Sequence, residues 1–106
     1  MWYLLDENNQ PYPVEIKELT TENTSKNKVV QQDTLPNGKF VSTVFLGLDH
    51  GFSGRNKPGY KPVLWETMVF PDDESGADEY MERYTSYEDA LEGHKRALEY
   101  ANSSKD

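Results

Sequence analysis

Apolar residues recur along this chain with two periods, and the change of period marks out its elements. Phe40 to Leu48 and Val63 to Phe70 are runs rich in β-branched and aromatic residues, and both predict strands. The second run has two largely apolar faces, Val63, Trp65, Thr67, Val69 and Leu64, Glu66, Met68, Phe70, which places it at the centre of a sheet. Val29 to Leu35 is a third strand-like run. Pro36-Asn37-Gly38-Lys39 separates it from Phe40, and Asn-Gly between two such runs predicts a tight hairpin. With Asn37 and Gly38 as the two turn residues, Leu35 pairs with Phe40, Val30 with Phe45 and Val29 with Leu46. Glu79 to Tyr84 alternates Tyr80, Glu82, Tyr84 against Met81, Arg83 and predicts a last, edge strand.

The period then becomes helical. Tyr87, Ala90, Leu91, His94, Ala97, Leu98 and Ala101 are spaced by threes and fours, predicting an amphipathic helix from Ser86 to about Asn102. Thr85-Ser-Tyr-Glu88 has the form of a capping box at its start, and residues 103–106 are expected to fray. The N-terminal third is less regular. Trp2 to Leu5 suits a short strand, Asp6 to Gln10 a turn, Val14 to Thr21 about two helical turns after Pro13, and Thr20 to Lys28 a polar loop. The layout is α+β: an antiparallel meander of about four to five strands with a C-terminal helix packed on one face, in a single domain spanning residues 1–106.

Composition narrows the chemistry. There is no cysteine, which excludes disulfides, thiol nucleophiles and thiolate metal sites and suits a reducing cytosol. The start Met1-Trp-Tyr-Leu-Leu-Asp6 lacks the positive charge and long apolar run of a signal peptide, and no segment is apolar for long enough to span a bilayer. The net charge is −8, and the run from Asp72 to Glu82 accounts for −6 of it, with Asp72, Asp73, Glu74, Asp78, Glu79 and Glu82 and no Lys or Arg. Direct nucleic-acid binding would need the opposite sign. An acidic patch suits a basic protein surface instead.

Three side chains could form a site. His50 follows the first strong strand beside Asp49, Glu66 lies in an apolar row, and His94 lies on the apolar stripe of the helix. Convergence of His50, Glu66 and His94, with Asp49 adding an oxygen, would give an acid–base set for a small hydrolase or ligands for a divalent metal, the one cofactor these residues could hold. The spacing matches no metal signature, and the competing account is structural: His94 hydrogen-bonded inside the sheet–helix interface, and Glu66 paired with Arg83. Ser53 lacks the second glycine of a nucleophile elbow, and Asp72 to Asp78 lacks the ligand order of a calcium loop. The His50–Pro62 connection carries Phe52, Arg55, Lys57, Tyr60 and Lys61. Phe52, Arg55 and Tyr60 in that connection are candidate partner contacts, as are Asp72, Asp73, Glu74, Asp78 and Glu79.

Thr43-Val-Phe-Leu-Gly-Leu-Asp-His50, Trp65-Glu-Thr-Met-Val-Phe70, Arg83-Tyr84 and Ala90-Leu-Glu-Gly-His94 resemble a family of short uncharacterised phage and prophage proteins, over roughly Ser42 to His94. Leu-Gly-Leu-Asp-His combined with Glu-Thr-Met-Val-Phe is the specific part. The resemblance brings no catalytic or binding residue. It implies a setting, the cytoplasm of an infected or lysogenic bacterium, where small acidic proteins act by binding a host or phage protein. The expectation is a non-enzymatic accessory protein whose acidic patch imitates nucleic-acid charge toward a host nuclease or polymerase. A virion component is the remaining alternative.

Overall fold

Alternation along Val41-Ser-Thr-Val-Phe45 sorts these residues onto two sides of a sheet, and burial follows it: Val41, Thr43 and Phe45 are buried, while Ser42 and Val44 are partly exposed. A computed structural model describes residues 2–25, 28–49, 59–71 and 79–103. In it Val29–Thr34 (β3), Phe40–Phe45 (β4), Trp65–Phe70 (β5) and Tyr80–Tyr84 (β6) form an antiparallel sheet in the order β3-β4-β5-β6. A separate hairpin precedes them, Trp2–Leu5 (β1) with Pro11–Val14 (β2). The helix Tyr87–Ser103 (α2) packs across the sheet, confirming the predicted α+β layout.

Cross-strand pairs put Val41 beside Val69, Thr43 beside Thr67 and Phe45 beside Trp65, all on the side that α2 covers. The helix presents Ala90, Gly93, His94, Ala97 and Ala101 to them; alanine and glycine let its backbone come close. Two apolar clusters result. Phe45, Leu64, Trp65, Tyr84 and Ala90 form one, with Tyr3 and Leu5 of the N-terminal hairpin against it. Val41, Val69, Ala97 and Ala101 form the other, toward the β3–β4 turn.

That turn differs from the expected one. Gly38 N–H donates to Leu35 O at 2.9 Å and Leu35 N–H to Lys39 O at 2.8 Å, so the loop holds three residues, Pro36, Asn37 and Gly38. Gly38 takes the left-handed conformation (φ 90°), whereas Asn37 does not, so this is not the double left-handed turn that a two-residue Asn-Gly loop requires. Proline, with its fixed φ, suits the second position of an ordinary turn. The pairing moves by one residue, to Thr34 with Phe40 and Asp33 with Val41. A one-residue slip exchanges the faces of a strand, so Asp33 points to the helix side. An irregularity between Val29 and Gln31 then lets Val30 join the first cluster.

Helix ends also differ from expectation. Ser86, not Thr85, caps α2, its Oγ accepting from Asp89 N–H at 3.0 Å. At the other end Asn37 Nδ2 donates to Ala101 O at 2.9 Å, tying the hairpin turn to the last helical turn. In the N-terminal third, β2 runs through Pro13 to Val14, a 3₁₀ turn covers Ile16–Glu18, and a short helix covers Thr21–Ser25 (α1), in place of two turns from Val14 and a loop. Thr20 and Asn23 exchange side-chain-to-backbone bonds of 3.0 and 2.8 Å, a reciprocal cap that starts α1 later than the Pro13 signal suggested.

Candidate functional site

A polar row crosses the covered side of the sheet between the two apolar clusters. Thr43 on β4 and Thr67 on β5 are paired neighbours, and their hydroxyl oxygens lie 2.5 Å apart. His94 on α2 reaches down to them, its Nδ1 2.6 Å from Thr43 Oγ1. Its Nε2 lies 2.8 Å from Asp33 Oδ2 on β3, and Gln31 Nε2 donates to the same oxygen at 2.9 Å. On the β6 side, Thr67 pairs with Glu82, which accepts from Tyr84 Oη and Arg96 Nη2, each at 3.0 Å. Thr43, Thr67 and His94 are fully buried, while the Asp33 side chain is 38% exposed. The row therefore meets water at its Asp33 end and at Arg96.

Gly93 is part of this arrangement. A β-carbon there would overlap the Tyr84 hydroxyl and the ring atoms beside it, so the phenol occupies the space that glycine leaves.

Asp33, His94 and Thr43 stand in the order carboxylate, imidazole, hydroxyl, the connectivity of a nucleophile relay. Attack needs a hydroxyl that a substrate carbonyl can approach. Thr43 lies beneath α2 with its oxygen already held by His94 and Thr67. In this fold the row fastens the helix to the sheet.

Of the three candidate side chains, Glu66 and His94 are described, and they do not come together. Glu66 neighbours Thr67 along β5 and so faces the opposite side of the sheet from His94; it pairs with Arg83 Nε at 2.9 Å, the partner the sequence suggested. Asp49 is buried and accepts from Tyr60 Oη at 2.5 Å and from Val63 N–H at 2.8 Å, closing the long connection where it rejoins the sheet. Tyr60 is thus an anchor of that connection. Glu79 accepts from Lys39 Nζ and from Tyr100 Oη, each at 2.9 Å, and Lys39 also lies against the Tyr100 ring. Two acids of the acidic run, Glu79 and Glu82, are therefore matched by bases from the β3–β4 connection and α2. His50, Phe52, Arg55, Asp72, Asp73, Glu74 and Asp78 lie outside the described residues. Among the described residues no group of three His, Asp or Glu is placed to hold a metal ion, and no described helix is long and apolar enough to cross a membrane.

Asp33, Thr43 and Thr67 were not among the sequence candidates. Two threonines in otherwise apolar inward rows, combined with a histidine on the facing helix, were the available signal.

Hydrogen bonding from His94, with Gln31 adding to it, holds the Asp33 carboxyl below its ordinary value of 3.8. Burial pushes the Tyr84 and Tyr80 phenols above 10.0, and for Tyr100 the bond to Glu79 does so. A depressed folded value adds stability above the unfolded value that is lost as pH falls through the folded one; a raised value adds stability below the unfolded value that is lost as pH rises. The thermal midpoint should therefore fall as pH drops below about 4 and again as it rises above about 10. Circular-dichroism melts across pH test this. Asp33→Asn should flatten the acid limb and Tyr84→Phe the alkaline one; limbs unchanged in these variants would refute the assignments.

No protein-family model, no curated protein and no solved structure matches the chain.

Proposed function

We propose that this chain is a phage or prophage accessory protein that acts inside a bacterial host by protein–protein contact, offering an apolar sheet face beside an acidic segment to a basic protein surface. The observation that carries this is that, among the described residues, only one face of the sheet is covered. The face turned away from α2 holds Val29 and Met81, 53% and 49% exposed, with Phe40, Val44, Met68 and Phe70 partly exposed between them. Phe40 and Phe70 stack at 6.3 Å, and the Glu66–Arg83 pair sits within the same surface. An apolar surface of this kind on a small domain suits a partner. In sequence, Phe70 and Pro71 are followed by Asp72, Asp73, Glu74 and Asp78, four acids that favour a basic partner. Complementary charge steers association, and apolar contact then holds it. The phage setting rests on the motif resemblance.

Capture from bacterial lysate tests the reading with three baits: the native chain, the quadruple variant Asp72→Asn/Asp73→Asn/Glu74→Gln/Asp78→Asn, and Met81→Asp. A basic protein held by the native bait should be lost from both variants and should weaken as salt screens the charge. A captured protein retained equally by all three baits would reject this function.

A further inference from the structure

Of the asparagines in this chain only Asn37 is followed by glycine. In that pair the asparagine side chain is most open to attack by the backbone, because glycine puts no β-carbon beside the attacking nitrogen. Asn37 lies exposed in the β3–β4 turn, so water reaches it. Water is the one other reagent needed. The Gly38 backbone nitrogen gives up its proton and bonds to Asn37 Cγ. The Cγ–Nδ2 bond breaks, and Nδ2 leaves as ammonia with that proton. Water then opens the resulting five-membered imide, and the Gly38 nitrogen takes a proton back from it. Breaking the bond from that nitrogen to Cγ leaves aspartate; breaking the bond to the Asn37 main-chain carbonyl carbon leaves isoaspartate.

Three hydrogen bonds oppose ring closure. Gly38 N–H donates to Leu35 O at 2.9 Å, which holds the proton that the attacking nitrogen must lose. Asn37 Oδ1 accepts from Lys39 N–H at 2.9 Å. Asn37 Nδ2 donates to Ala101 O at 2.9 Å, and ring closure expels that nitrogen, so this bond cannot survive the reaction. The first two bonds are made within the turn. The third comes from 64 positions away and exists only while the last turn of α2 lies on the hairpin. Leu35, beside the turn, packs with Val41, Val69, Ala97 and Ala101, so the same docking keeps turn and helix end together.

We infer that Asn37 is a site of spontaneous deamidation, held off while α2 is docked and released when its last turn lifts. The product does not restore the contact. A carboxylate only accepts, so Ala101 O loses its donor. The new negative charge falls at the carbonyl end of a helix, where the dipole is already negative and α2 has no base in its last turn. Lys39, the base in the connection, is paired with Glu79. Isoaspartate also inserts one atom into the main chain of a three-residue loop, and loop length sets the register that carries Asp33 beneath the helix. The change runs one way: the docked helix end restrains the reaction, and the reaction removes a fastening of that end. It is separate from the contact function proposed above.

The test is peptide mapping of the intact protein incubated at neutral pH, reading the mass gain of one unit and the isoaspartate at residue 37. The same chain in guanidinium chloride, with α2 undocked, gives the unrestrained rate. The native rate is expected to be lower by about fivefold or more, the factor that one net hydrogen bond supplies. Asn102→Pro separates the helix contact from the turn. Asn102 is exposed, and proline there drives the residue before it, Ala101, out of the helical conformation, so its carbonyl turns away. The folded variant should lose the protection and match the native chain in denaturant. Equal rates for the native chain folded and denatured would overturn the inference, as would a folded Asn102→Pro chain that reacts as slowly as the native one. Asn37→Asp, one of the two products, leaves the helix sequence intact. Amide exchange in the last turn of α2 should quicken in it, and unchanged exchange there would refute the fastening role of Asn37.

Discussion

Gly93→Ala is expected to lower stability by about 3 kcal/mol, the upper end of the usual cost of overpacking. The sign is the opposite of what helix propensity gives. Glycine inside a helix is worse than alanine by about 1 kcal/mol, so on an exposed surface the same change would stabilise. Here the added methyl group would enter the volume of the Tyr84 hydroxyl and ring edge, both under the helix. Tyr84 cannot swing aside freely, because it belongs to the cluster of Phe45, Leu64, Trp65 and Ala90. Either α2 lifts from β6 or the phenol leaves Glu82. At roughly 4–8 °C per kcal/mol for a domain near this size, the thermal midpoint should drop by about 12 °C or more. Adding Tyr84→Leu to Gly93→Ala should recover part of that loss by emptying the contested space. A midpoint that rises in Gly93→Ala would show that the helix does not press against Tyr84 at that point.

The second large effect concerns Thr43. Valine has nearly the shape of threonine, so Thr43→Val removes an oxygen without opening a cavity. It leaves His94 Nδ1 and the Thr67 hydroxyl without their shared neighbour, at full burial. Leaving buried polar groups unpaired costs about 1–3 kcal/mol for each group, and about 3 kcal/mol in total is expected here. Removing the whole row should cost far less. In Thr43→Val/Thr67→Val/His94→Leu every interior member becomes apolar, and Asp33, already partly exposed, can turn to water. Such replacement of a buried polar network by apolar side chains is often neutral or stabilising. Urea unfolding of the three single variants and the triple variant measures the difference. The triple should lie within about 1 kcal/mol of the native chain, while the single costs sum to several times that. Additive costs would mean that the row is not one network.

The two central strands, the last edge strand, the C-terminal helix and the Glu66–Arg83 pair were legible because each rests on a local pattern several residues long: inward Val41, Thr43 and Phe45, the two apolar faces of β5, the stripe through His94. Asp33 was not legible, for a reason that can be traced to one turn. Taking Asn37 and Gly38 as a two-residue loop sets Asp33 opposite Ser42, on the uncovered face; the three-residue loop that Pro36 favours sets it opposite Val41, beneath the helix. Thr43 and Thr67 were hidden differently. In a strand, threonine reads as one more β-branched residue. Only the buried imidazole on α2, which must have partners, separates a threonine that fills space from one that is needed for its oxygen. Glu66 and His94 were candidates for one site because both interrupt apolar rows, and a row in sequence does not say which side of the sheet it faces until its neighbours are fixed.

The sheet is a meander, so every strand pairing joins neighbours in the chain, and loop closure along it is inexpensive in entropy. The polar row does not share that economy of distance: His94 meets Asp33 across 61 positions and Thr43 across 51. During folding the four strands can therefore assemble while α2 is still undocked. In such an intermediate Thr43 and Thr67 have each other, but Val41, Phe45, Trp65 and Val69 face water on one side while Phe40, Met68 and Phe70 face it on the other. Helix docking is the event that ends this two-sided stickiness. The window before it, rather than the finished protein, is where chains of this kind are most exposed to capture by one another.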